Sequence, residues 1–140
     1  MAKRYWLVKS EPSVWSWEDQ VAAGEAGTAW DGIRNHTAKL NLMAMKPGDR
    51  CFFYHSNEGK EIVGIVEAIG AARPDPKAAP GEPGVVVDMK AVEKLPKPVT
   101  LAQVKATPAL KDMSLVTSFR LSVQPVTAAE WKAVCKMGGL

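Results

Sequence analysis

The stretch CFFYHSNEGKEIVGIVEAI, residues 51–69, decides how the chain is read. CFFYHS and EIVGIVEAI are rich in aromatic and β-branched residues, and NEGK at 57–60 is a turn signal between them. Two such runs separated by a tight turn predict an antiparallel hairpin. KPGDR at 46–50 is a second turn, which delivers the chain into the first strand of the pair.

Upstream, KRYWLVKS at 3–10 reads as a strand, and Pro12 helps to end it. Ser16 followed by Asp19 predicts a capping box for a short helix from Trp17 that stops near Gly24, with Trp17 and Val21 on one face. The segment from Gly24 to Gly32 reads as a loop containing Trp30. Asn35 is placed to cap a helix over about 36–45, with Ala38, Leu42 and Met45 inward and Lys39 towards solvent.

Downstream, ARPDPKAAPGEPG at 72–84 holds four of the ten prolines and reads as a surface excursion. GVVVDMKAVEKL is a fourth strand, and Thr100 with Gln103 predicts a short helix through Lys105 that Pro108 helps to limit. FRLSVQPV at 119–126 is a further strand. Thr127 with Glu130 caps a last helix, AAEWKAVCKM, which places Trp131, Val134 and Cys135 on an apolar side and ends at Gly138. The order β-α-α-β-β-β-α-β-α lacks regular helical crossovers. It predicts one mixed α/β domain over 1–140: a curled, mainly antiparallel sheet or partly open barrel of about five or more strands, with peripheral helices.

The chain has 140 residues, 46% of them hydrophobic, enough to bury a core. Its net charge of +3 is compatible with nucleic acid, but no basic stripe marks an extended phosphate track. The start, MAKRYWLVKSEP, is too quickly polar for a secretory signal, and no apolar run approaches a membrane span. Two cysteines, Cys51 and Cys135, make no disulfide framework. The expectation is a soluble cytoplasmic protein.

Catalytic and metal motifs are scarce. His36 and His55 form no ligand spacing with cysteine or carboxylate, so no metal and no cofactor are expected. Cys51 and His55 lie four residues apart on one strand, a span of roughly 13 Å, too far for a nucleophile and its base. No phosphate-binding glycine loop is present. Glu11, Asp31 and His55 are ordinary acid–base candidates whose spacing shows no convergence. Polar residues do gather at strand ends: Lys9, Ser10 and Glu11 after YWLV, Tyr54, His55 and Ser56 after CFF, and Gln124 in the last strand. At one rim of a barrel such residues can hydrogen-bond a heterocycle held by aromatic faces. Read singly, each also serves as a turn, edge or core residue. An enzyme and a protein-interaction adaptor remain the alternatives to a binding module.

YWLVKSEP, WDGIRNHTAKLNLMAMKPGD, FFYHSN, IVGIVE, RPDP and FRLSVQPVTAAEW together resemble the EVE domain, in order and over nearly the whole chain. The resemblance implies a PUA-like pseudobarrel with a pocket for a base. EVE domains are similar to YTH domains, which recognise methylated adenine in RNA through an aromatic cage. The implied role is a non-catalytic reader of a modified base in DNA or RNA, single-stranded or flipped, with oligomeric state left open. Lys9 and Ser10 match the start of the YTH pocket, and Trp30 takes the place of its first cage tryptophan. Asn35, Tyr54, His55, Ser56 and Gln124 are the further pocket candidates. Arg34, Lys39 and Arg120 are candidates for phosphate or rim contacts. The chain departs from the family's common pattern at His36, often Tyr, and at Leu40 and Ala44, where arginines are frequent. No second cage tryptophan is assigned.

Overall fold

A computed structural model describes residues 4–30, 36–56, 59–74, 85–118 and 121–140, with the His36 side chain left aside. Its elements are β1 (Tyr5–Ser10), α1 (Trp17–Ala22), β2 (Thr28–Trp30), α2 (His36–Ala44), β3 (Arg50–His55), β4 (Glu61–Ala68), β5 (Arg73–Pro74), β6 (Val85–Thr100), α3 (Leu101–Ala106), α4 (Ser114–Thr117), β7 (Val123–Val126) and α5 (Ala128–Met137). Short 3-10 turns cover Gly24–Ala26 and Pro108–Leu110. Among the described residues no helix is long and apolar enough to cross a membrane.

The hairpin predicted over 51–69 forms. β3 and β4 pair antiparallel, Cys51 with Val66 and His55 with Glu61. The strand order is β2-β6-β4-β3-β1-β7, with β5 paired to β6 as a seventh strand. β1 runs antiparallel to β7 but parallel to β3, so the sheet is mixed although mostly antiparallel. All three expected capping boxes are made, at Ser16/Asp19, Thr100/Gln103 and Thr127/Glu130. Each satisfies two backbone N–H groups that would otherwise be left open at a helix start.

Several local readings change: Val21, expected beside Trp17, is 51% exposed, and Arg73–Pro74, expected in a surface excursion, pairs with β6. Trp30 ends a short strand rather than sitting in a loop, because Thr28–Trp30 pairs with Met89–Val87 of β6. Gly27 permits that entry: its φ is +67°, and a Cβ there would collide with the Met89 carbonyl. β6 also runs past the expected end at Leu95 to Thr100. Pro96 and Pro98 are tolerated because the β4 register jumps from Gly64↔Lys94 to Ile62↔Val99, leaving them off the ladder. Finally, α4 forms at Ser114–Thr117, where no helix was expected.

Strand alternation builds two cores, one on each face of the sheet. The first gathers Trp6, Val8, Trp17, Trp30, Phe53, Val66 and Met89. The second gathers Leu7, Phe52, Tyr54, Ile62, Leu95, Trp131 and Val134. Neighbours such as Phe52 and Phe53 therefore serve opposite cores, as a period of two requires. α2 lies on the first face and packs against both β6 and β7. Those strands are far apart in the strand order, so the sheet must curl around the helix to reach them. Ala38, Leu42 and Met45 are buried as its spacing predicts, and Asn41 Nδ2 donates to the Val123 carbonyl at 2.7 Å.

The turn before β3 is built on buried Asp49. Its carboxylate accepts from the backbone N–H groups of Arg4 (3.3 Å) and Lys46 (3.0 Å) and from Trp6 Nε1 (3.2 Å). One side chain thereby ties the start of β1 to the entry of β3. Gly48, at φ +93°, makes the turn possible and donates to the Ala68 carbonyl at 2.9 Å.

Candidate functional site

The first face carries an aromatic group centred on Phe53. Trp17, Trp30 and His55 stand edge-on to its ring at centroid distances of 5.4, 5.6 and 5.6 Å. Three elements supply them, α1, β2 and β3. Edge-to-face contacts of this kind add about 0.5–1.5 kcal/mol each beyond burial. Trp17 fits because Gly64 faces it from β4, where any Cβ would strike the indole.

Ser10 and His55 are register partners at the ends of parallel β1 and β3. The segment between β1 and α1 folds over them and fixes their hydrogen-bonding polarity. Ser10 Oγ donates to the Trp15 carbonyl at 2.6 Å. Its proton is spent, so towards a ligand the hydroxyl acts as an acceptor. The Trp17 backbone N–H donates to His55 Nε2 at 3.1 Å. That bond sets the neutral tautomer with the proton on Nδ1. Burial pushes the His55 pKa below 6.5, against the smaller opposing pull of Glu18 and Glu61. Ser56 contributes its backbone N–H to the Ser10 carbonyl at 2.9 Å.

The predicted pocket residues do not all meet. Ser10, Trp30 and His55 share the first face, but alternation sends Lys9 and Tyr54 to the second, where the ammonium lies 5.8 Å from the phenol ring centroid. Burial lowers the Lys9 pKa and raises that of Tyr54. Gln124 also lies on the second face, opposite Leu7, and is 0% exposed. Its Nε2 lies within 3.3 Å of the carbonyls of Ser114, Ser118 and Leu121. The donors are committed to holding α4 and the segment before β7, not to an incoming base. Lys39 is half-buried on α2. Arg34, Asn35 and Arg120 lie outside the described residues.

Two tryptophans that sequence reading leaves out of the candidate site stand beside it. Trp15 is partly exposed and packs against the first core, and its Nε1 donates to Gln20 Oε1 at 2.9 Å. Trp17 was read only as a helix face. The signal was the W-x-W pair two residues beyond KSEP, with Gln20 five residues on from Trp15. Trp30 itself is only 6% exposed, so little of its ring is open. Cys51 is fully buried, and burial together with nearby Asp49 pushes its thiol up, which makes it a poor nucleophile. Among the described residues no cluster of His, Cys, Asp and Glu could hold a metal ion.

Comparison with known proteins places this architecture. The EVE domain family model matches residues 4–137. Human thymocyte nuclear protein 1 is 34% identical over an alignment covering 95% of this chain and 73% of that protein. Among solved structures, Rpa0253 from Rhodopseudomonas palustris is 67% identical with a TM-score of 0.92, covering 97% of this chain and 93% of that one. Human THYN1 protein in complex with 5-methylcytosine containing DNA is 32% identical with a TM-score of 0.88, covering 99% of both chains. The YTH domain of Zygosaccharomyces rouxii MRB1 protein, 19% identical with a TM-score of 0.58, covers 99% of this chain and 88% of its own and shares the fold. A match over almost the whole length, joined to the curled seven-stranded sheet, leaves one assignment: the chain belongs to the EVE domain family.

Proposed function

We propose that this protein is a non-catalytic reader that binds a modified base in DNA or RNA on the first face of its sheet. The observation that carries the reading is the cluster of Trp17, Trp30 and His55 around Phe53, beside a serine of fixed polarity. A base meeting this face finds Ser10 Oγ as acceptor and His55 Nδ1–H as donor. That pair matches an exocyclic amine next to a ring nitrogen, the edge that cytosine and adenine share. The likeness to human THYN1 protein, solved with 5-methylcytosine containing DNA, supports the same ligand class. A base reaching Trp30 must displace what covers it, and extracting it from a duplex costs a few kcal/mol. Single-stranded or distorted substrate therefore binds better than intact duplex. Arg34 and Asn35, next to Trp30 in the chain, are proposed for the entrance, with Lys39 and Arg120 as rim cations for phosphate. We place such binding in the cytoplasm.

The test is titration of the purified protein with matched oligonucleotides that differ only in one base: cytosine against 5-methylcytosine, adenine against N6-methyladenine, as DNA and as RNA. The expected result is tighter binding of a modified strand, with a loss of about 5- to 150-fold in Trp30→Ala, the equivalent of about 1–3 kcal/mol of stacking. Equal binding of every modified strand and its plain counterpart overturns the reading.

A further inference from the structure

Gln20 is an uncharged polar side chain at 0% exposure, which needs an explanation because burying an amide costs unless every group is paired. Both ends are in fact used. Nε2 donates to the Met89 carbonyl of β6 at 3.0 Å, and Oε1 accepts from the indole N–H of Trp15 at 2.9 Å. The recipient of this buried bracket is not itself a core residue, since Trp15 keeps part of its surface open. Its main chain is held as well. The Trp15 carbonyl accepts from Ser10 Oγ at 2.6 Å, and its N–H donates to the Glu11 carbonyl at 2.9 Å. A part-exposed indole whose Nε1 is held by a buried amide, on a main chain held at both its N–H and its carbonyl, is already ordered, so stacking on it needs no side-chain ordering at the moment of binding.

From this geometry we infer that Trp15 is a second stacking wall of the pocket and that Gln20 is the residue that positions it. The inference rests on the reader function proposed above and adds a second wall, partly open, to the nearly covered Trp30. A base whose amine reaches Ser10 Oγ comes up to the Trp15 main chain, whose carbonyl that oxygen touches at 2.6 Å, and the inferred pose sets its face against the indole of the same residue. Trp15 meets the π-face that every base has, while Ser10 and His55 read the edge. Trp15 therefore contributes to affinity for plain and modified strands alike, and selectivity stays with the residues around Phe53.

The experiment uses the full chain and a single-stranded oligonucleotide carrying one 5-methylcytosine, with its plain counterpart. Binding is read by calorimetry and by quenching of tryptophan fluorescence, and folding by circular dichroism and thermal melting. Trp15→Ala is expected to weaken both strands about 5- to 150-fold while leaving their ratio unchanged. Trp15→Phe keeps a ring and most of the affinity but loses part of the quenching. Gln20→Leu, if folded, weakens binding while Trp15 is still present; if it fails to fold, the two Trp15 variants decide. Wild-type affinity and quenching in Trp15→Ala overturn the inference and leave the reader function standing. Absence of any preference in the wild-type protein overturns the reader function, and an unchanged Trp15→Ala on whatever binding remains overturns the wall separately.

Discussion

The backbone N–H of Trp17 donates to His55 Nε2 across 38 residues of sequence, at 3.1 Å. This bond joins the first turn of α1 to the end of β3. It holds Trp17 against Phe53 and keeps the imidazole neutral in one tautomer. The local fold and the polarity of the candidate site thus depend on the same ring nitrogen.

That dependence has a pH signature. Burial lowers the His55 pKa below its ordinary 6.5, so on acidification the unfolded chain takes up this proton first. The stabilising contribution is complete above about pH 6.5 and is lost as pH falls from there through the lower folded value. Denaturant unfolding between about pH 7 and pH 5 is expected to show a steeper loss of stability for the wild-type protein than for His55→Gln, which keeps an acceptor but cannot titrate. Parallel curves for the two proteins would show that the bond carries no such linkage.

Gly64→Ala sets a methyl group into the Trp17 indole, which packs directly on β4. Overpacking of this kind costs about 1–3 kcal/mol, and the indole must move to relieve it. A lowered melting temperature together with weaker oligonucleotide binding is expected. An unshifted melting curve would mean that Trp17 is not seated as described.

Gln124→Leu removes the amide donor shared by the Ser114, Ser118 and Leu121 carbonyls; Ser114 and Ser118 keep backbone donors, from the Ser118 and Leu121 N–H groups, so the loss falls mainly on Leu121. The expected cost is about 1–3 kcal/mol in urea unfolding, with no change in the ratio of modified to plain strand affinity. A change in that ratio would return Gln124 to the pocket.

Asp49→Ala removes the common partner of the Arg4 and Lys46 N–H groups and Trp6 Nε1. Hydrogen bonds to a charged group are each worth about 1.5–3 kcal/mol. A destabilisation of at least that size is expected by chemical unfolding, and Asp49→Asn, which keeps one acceptor oxygen, should lose less.

The helix caps and the β3–β4 hairpin were legible because they are local: Ser16 with Asp19, or a strand–turn–strand run, contains its own partner. The parallel pairing of β1 with β3 was not legible, since nothing in YWLVKS names a neighbour more than 40 residues away. The site was half legible for a related reason. Lys9 with Ser10, and Tyr54 with His55, were read as joint pocket residues because they cluster in sequence, yet adjacent strand residues face opposite sides. Composition marks where polar groups gather, and register decides which of them see the same space. Trp30 was picked out by the resemblance, but its place on a paired strand depends on β6, which the sequence around it does not announce.

The position of β1 between β3 and β7 also orders events during synthesis. Ser10 and Trp15 leave the ribosome early, but the strand that anchors them gains its second neighbour only when Val123–Val126 has been made. Until then β1 presents an open edge, the feature most prone to stray pairing in a growing chain. The full pairing of β1 therefore arrives only with β7. A nascent chain carries Ser10 and Trp15 but not the frame that holds them, and a nick that frees β7 from a finished molecule would return it to that earlier state.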